Sequence, residues 1–132
     1  MEQRIETILS GSKTVAVVGI SDKPDRPSHV VAKYLQERGY RVIPVNPLLT
    51  EVLGEKAYKS LAEIPERVDL VDVFRKSADV PPIAEEAVRI GARFFWMQEG
   101  VSSEPAREIL DAAGIPWVMD RCVKKELAKR GK

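Results

Sequence analysis

Residues 14–28 read Thr14-Val15-Ala16-Val17-Val18-Gly19-Ile20-Ser21-Asp22-Lys23-Pro24-Asp25-Arg26-Pro27-Ser28: a β-branched apolar run, a glycine, a polar loop and a residue type that caps helices. A strand, a tight turn and a helix N-terminus in that order aim unpaired N–H groups and a positive dipole end at one point, where an anion is stabilised. Phosphate is the natural guest. Arg26 adds a guanidinium suited to two phosphate oxygens, and Ser21 and Ser28 add hydroxyls. Gly19, Ile20, Ser21, Arg26 and Ser28 are therefore candidate phosphate-binding residues. The plainer reading, in which Gly19 only permits a turn and Ser28 only caps a helix, stays open on these residues alone.

The dinucleotide fingerprint G-x-G-x-x-G is absent, because Ser21 and Pro24 stand where further glycines belong. A nicotinamide enzyme also places an acidic residue at the end of the second strand to accept from ribose hydroxyls, whereas this chain has Val45-Asn46-Pro47. A neutral amide does not repel a ribose phosphate. The pattern suits a ligand with a pyrophosphate and a 3′-phosphorylated ribose, with Asn46 and Pro47 as candidate contacts; a plain turn before proline is the alternative for Asn46. Phe74 and Arg75 end the third apolar run, and Gln98 and Gly100 follow the fourth. Phe74 can cover an adenine or an apolar ligand arm, Arg75 can meet phosphate, and the segment from Gln98 to Gly100 can bring amides to the ligand.

These residues need a scaffold that gathers them. Residues 13–18, 41–45, 68–74, 93–97 and 116–119 read as short, largely buried strands. Helical patterns lie between them. Ser28, Asp79 and Ser103 are expected caps, and Gly39, Gly91 and Gly114 are expected stops. The second crossover is less regular, with Ser60 and Glu63 as a capping box on a single turn. One helix over residues 2–9 precedes the sheet and another over 123–129 follows it. Strand and helix alternating with short loops imply a single Rossmann-like α/β domain over residues 1–132. Its five-stranded parallel sheet is expected in the order 3-2-1-4-5 with helices on both faces. Ligands then bind where strand order reverses, at the carboxyl edge.

The sequence has 132 residues, 21 basic against 20 acidic side chains and one cysteine. That length suits one core, the charge balance argues against a nucleic-acid or anionic-membrane partner, and Cys122 has no partner for an internal disulfide. No apolar run approaches the roughly 18 residues of a membrane span, so the expected location is cytoplasmic. Asn46 is the sole asparagine in a chain with 31% charged residues, a bias towards a thermophilic source.

The block from Val15 to Ser28, then Val42-Ile43-Pro44-Val45-Asn46-Pro47, then Gln98-Glu99-Gly100, resembles the small stand-alone CoA-binding proteins of the YccU-like group. That group is similar to the CoA-binding domain of the succinyl-CoA synthetase alpha subunit and of ADP-forming acyl-CoA synthetases. The resemblance implies coenzyme A or an acyl-CoA as ligand. Its pyrophosphate is expected between Gly19 and Ser28, its nucleotide end near Asn46 and Pro47, and its pantetheine along Phe74 and the loop from Gln98 to Gly100. The synthetases carry a phosphorylated histidine on a further domain that this sequence does not contain. His29, the sole histidine, reads as an exposed helix residue within reach of phosphate, since no acid, base and nucleophile converge with it. Cys122 lies on the same edge beside Arg121, where exchange with the CoA thiol is chemically feasible; a small core cysteine is the other reading. The expected function is a carrier, sensor or presenting module without catalysis, with an acyl-transferring protein among the partners it leaves open. A nicotinamide-dependent oxidoreductase or one component of an acyl-CoA synthetase is the alternative.

Overall fold

The computed structural model describes residues 1–131, so Lys132, the last residue of the expected domain, lies outside them. Five strands form one parallel sheet: β1 (Thr14–Val18), β2 (Arg41–Val45), β5 (Leu70–Val73), β6 (Phe94–Met97) and β7 (Trp117–Val118). Between β2 and β5 the irregular crossover contains a small antiparallel ribbon, β3 (Glu51–Val52) and β4 (Glu55–Lys56). Helices α1 (Glu2–Gly11), α2 (Pro27–Glu37) and α5 (Val123–Lys129) cover one face, through Ile5, Ile8, Val31, Leu35, Val123 and Leu127. Helices α3 (Val80–Arg89) and α4 (Glu104–Ala112) cover the other, through Val80, Ala84, Ala87, Ala106 and Leu110. Period-two alternation divides each strand between the two layers, Val15 and Val17 facing the first and Ala16 and Val18 the second. Among the described residues no helix is long and apolar enough to cross a membrane.

The expected α/β class and five-stranded parallel sheet stand, but the strand order is corrected. Counted along the chain, the five strands run 2-1-3-4-5, with β5 hydrogen-bonded to β1 and β2 at the edge. Pro44 supplies the physical reason. It sits inside β2 without an N–H to donate, which suits an edge strand. Its outward side is met instead by Tyr58, whose N–H donates to the Pro44 carbonyl at 3.0 Å. The sheet therefore reverses between β1 and β5, and the carboxyl ends of those two strands mark the edge where a ligand crevice is expected.

Two helix starts also differ from expectation. Arg26 takes the N-cap position of α2 and Pro27 its first turn, so Ser28 lies inside the helix. Asp79 precedes α3 but makes no capping bond, because its carboxylate pairs with Arg75. Ser103 caps α4 as expected, accepting from Ala106 N–H. The capping box at Ser60 does not form; Glu63 reaches the Lys59 N–H instead.

One core position is out of character. Asp72, between Val17 and Trp96 in register, is fully buried, and neither carboxylate oxygen has a hydrogen-bond partner. Burial pushes its pKa well above the ordinary carboxylate value.

Candidate functional site

Gly19 ends β1 with φ +87°, and a Cβ there would sit 2.5 Å from the Phe74 carbonyl oxygen. Only glycine fits that approach. Its N–H continues the sheet by donating to the Val45 carbonyl of β2 at 2.9 Å, while its other side lies against Phe74 at the end of β5. Ile20 then turns inward and is wholly buried, with its carbonyl accepting from the Asn46 side-chain amide at 2.8 Å. The next turn is pinned from α2. Ser28 Oγ accepts from Ser21 N–H at 2.9 Å, and His29 Nδ1 donates to the Ser21 carbonyl at 2.9 Å. His29 is thus a buried loop brace, contrary to its expected exposure, because a carbonyl this close requires the proton on Nδ1.

The loop at the mouth of β1 is therefore rigid before any ligand arrives. The amides of Gly19 and Ser21 are engaged within the protein, which leaves the N–H groups of Ile20 and Ser28 without a protein acceptor among the described residues. The Ser21 and Ser28 hydroxyls act as acceptors in their recorded bonds, leaving their hydrogens available to an anion.

A cleft of about 570 Å³ opens on this loop, lined by the segments that follow β1, β5 and β6, by the start of α2 and by Cys122. Of the residues singled out from sequence, Gly19, Ser21, Arg26, Ser28, Phe74, Arg75, Gln98 and Cys122 line it together. Ile20, Asn46, Pro47 and Gly100 do not. Asn46 is engaged on both sides of its amide, donating to Ile20 and accepting from Leu48 N–H at 2.8 Å, which is the geometry of an Asx turn. Pro47 lines a neighbouring groove of about 310 Å³ that shares Gly19 and Arg75 with the main cleft. Gly100 holds a turn with φ +82° and donates to Asp120. Pro27, Val31, Lys76, Glu99 and Val101 complete the lining. Lys76 was legible as the neighbour of Arg75; Val31 and Val101 are ordinary apolar positions with no such signal.

The electrostatics are lopsided. Arg26, Arg75 and Lys76 bring three cations to the cleft, and among the described residues Arg75 alone of them is paired, with Asp79 at 3.2 Å. The one acidic lining residue, Glu99, is paired with Lys125 at 2.9 Å. Apolar Val31, Phe74 and Val101 line the same cavity together with half-buried Cys122 and the buried Gln98. This cleft suits an elongated ligand with a polyanionic end and an apolar arm.

Comparison with known proteins gives this geometry a family context. Residues 13–128 match a family model described as a CoA binding domain. An uncharacterized protein, YneT, of Bacillus subtilis is 48% identical over 120 residues, covering 91% of this chain and 89% of that protein. The ADP-forming acetate–CoA ligase I of Archaeoglobus fulgidus is 36% identical over 123 residues, covering 84% of this chain but 18% of the ligase. A solved hypothetical protein from Pyrococcus horikoshii superposes with a TM-score of 0.94 at 39% identity, over 98% of this chain and 91% of that one.

Proposed function

Because this chain belongs to the CoA binding domain family, and is related to the corresponding portion of ADP-forming acetate–CoA ligases, we propose that its cleft binds coenzyme A or an acyl-CoA. In this reading the domain carries, senses or presents the ligand to an acyl-transferring partner and is not itself a catalyst. The single observation behind the assignment is the convergence of Arg26, Arg75 and Lys76 on the braced loop at the strand-order reversal. Those cations, with the Ser28 N–H group, hold the pyrophosphate. Val31, Phe74 and Val101 cover the pantetheine arm, whose thiol end lies towards Gln98 and Cys122. The nucleotide end extends towards the Pro47 groove. What the ligand supplies when bound is a thiol or thioester; what the protein supplies is a fixed cradle.

Thermal unfolding with CoA, dephospho-CoA, NAD and NADP tests this reading. CoA at about 100 times its dissociation constant should stabilise the fold by roughly 2.7 kcal/mol, and the dinucleotides should leave the midpoint unmoved. A shift with NAD and none with CoA overturns it.

A further inference from the structure

Gln98 is 4% exposed and lines the cleft, and among the described residues its side chain makes a single hydrogen bond, accepting from Val123 N–H at 3.3 Å. An N–H donor fixes that atom as the oxygen, so the amide nitrogen is turned the other way. Among the described residues this nitrogen has no acceptor. A donor without a protein partner, on a side chain more than nine-tenths buried and lining a cleft, marks the place of a ligand acceptor. The residue before Val123 is Cys122, a free, half-buried thiol lining the same cavity. Lys125, whose ammonium is held by Glu99, also lies within electrostatic reach of that sulfur.

We propose that the Gln98 amide and Cys122 form an acyl-acceptor site, at which the domain takes an acyl group from a thioester onto its own cysteine. The proposal rests on the CoA reading above and extends it from holding a ligand to carrying its acyl group. The Cys122 thiolate attacks the thioester carbonyl carbon while the Gln98 Nε2–H donates to the carbonyl oxygen, where negative charge develops. A new carbon–sulfur bond forms to Cys122, the bond to the ligand sulfur breaks, and the ligand leaves as a thiolate. One thioester replaces another, so no oxidant and no net proton are required. The donor is what separates this chemistry from disulfide exchange. An amide N–H has a strong acceptor in a carbonyl oxygen and a weak one in sulfur.

The test is intact-mass and peptide mapping of the protein after incubation with acetyl-CoA in the presence of reductant. A single acetyl group is expected on Cys122, removable by neutral hydroxylamine and absent from Cys122→Ser. Gln98→Glu keeps the acceptor for Val123 N–H and removes the donor, so labelling should slow on the order of 100-fold, with a native unfolding midpoint confirming its fold. An unlabelled cysteine in wild-type protein that is stabilised by CoA overturns the acyl-acceptor site and leaves CoA binding standing. Gln98 then serves an amide carbonyl of the pantetheine arm. Absence of any CoA stabilisation overturns the binding reading itself.

Discussion

The two edges of the sheet carry similar residue types and differ in which of their buried polar groups are satisfied. At the amino edge a depression of about 670 Å³, larger than the cleft, is lined by Ser10, Ser12 and Tyr40 among others. Each of these three donates to a backbone carbonyl of α1, at 2.7, 2.6 and 2.7 Å. Nearby, Asp69 accepts from the N–H groups of Lys13 and Thr14 and faces Arg93 at 3.7 Å. At the carboxyl edge Arg26, Lys76 and the Gln98 amide nitrogen face the cleft without protein partners among the described residues. Cavity size does not pick out the site, nor do exposed unpaired charges, since Lys13 and Glu37 of the depression also lack side-chain partners among the described residues; a cluster of cations beside a nine-tenths-buried side chain with an unpartnered donor does.

Glycines sharpen the contrast most. Gly19→Ala forces a Cβ onto the Phe74 carbonyl at a positive φ, and should destabilise the fold by about 3–5 kcal/mol in chemical denaturation. Gly39 at the amino edge also has a positive φ, but its Cβ would meet nothing within 4 Å. Gly39→Ala should cost about 1–2 kcal/mol. Equal losses at the two positions would remove the close approach of β1 and β5 from the account.

Arg26→Ala should weaken CoA binding by on the order of 1.5–3 kcal/mol in calorimetry while leaving the unfolding midpoint within about 1 °C. Arg93→Ala, at the other edge, should leave binding unchanged, because its guanidinium bonds the Gly11 carbonyl and faces Asp69.

Two aspartates of one segment give the smallest and most diagnostic effects. Burial opposes ionisation of Asp69, but the Lys13 and Thr14 N–H groups and the Arg93 and Arg67 charges outweigh it, and its pKa is lowered. Its contribution is present above the unfolded value near 3.9 and is lost as pH falls through the folded value. Asp72 is the reverse: its raised pKa favours folding fully below the unfolded value, and that contribution is lost as pH rises through the folded one. Asp72→Val should therefore stabilise the protein at neutral pH, by on the order of 1–3 kcal/mol, and flatten the alkaline side of the stability–pH curve. Asp69→Asn should flatten the acid side. Matching profiles for the two variants would contradict their assigned environments.

Much of this was legible in the sequence, and what was not had identifiable causes. The buried strands, the parallel α/β class and the phosphate-loop segment followed from apolar periodicity and from Gly19 before a helix start. Strand–helix alternation does not fix the strand order, whereas Pro44, with no N–H to donate, marks β2 as an edge. The sequence reads Ser28 as the helix cap and His29 as an exposed helix residue. Pro27 begins the helix one position earlier and turns both inward onto Ser21. Asn46 was offered as a ligand contact, while its side chain bonds Ile20 and Leu48, a choice that only three-dimensional distances decide. Residue type announced what each group can do, and the bonds already made within the protein decide which remain available.

The most direct measurement is a backbone amide chemical-shift map recorded while CoA is titrated into the isotope-labelled protein. The account predicts the largest changes at residues 19–31, 74–76, 98–101 and 122, with residues 9–13 and 37–40 undisturbed. Changes centred on the amino-edge depression, or no changes at all, would contradict it.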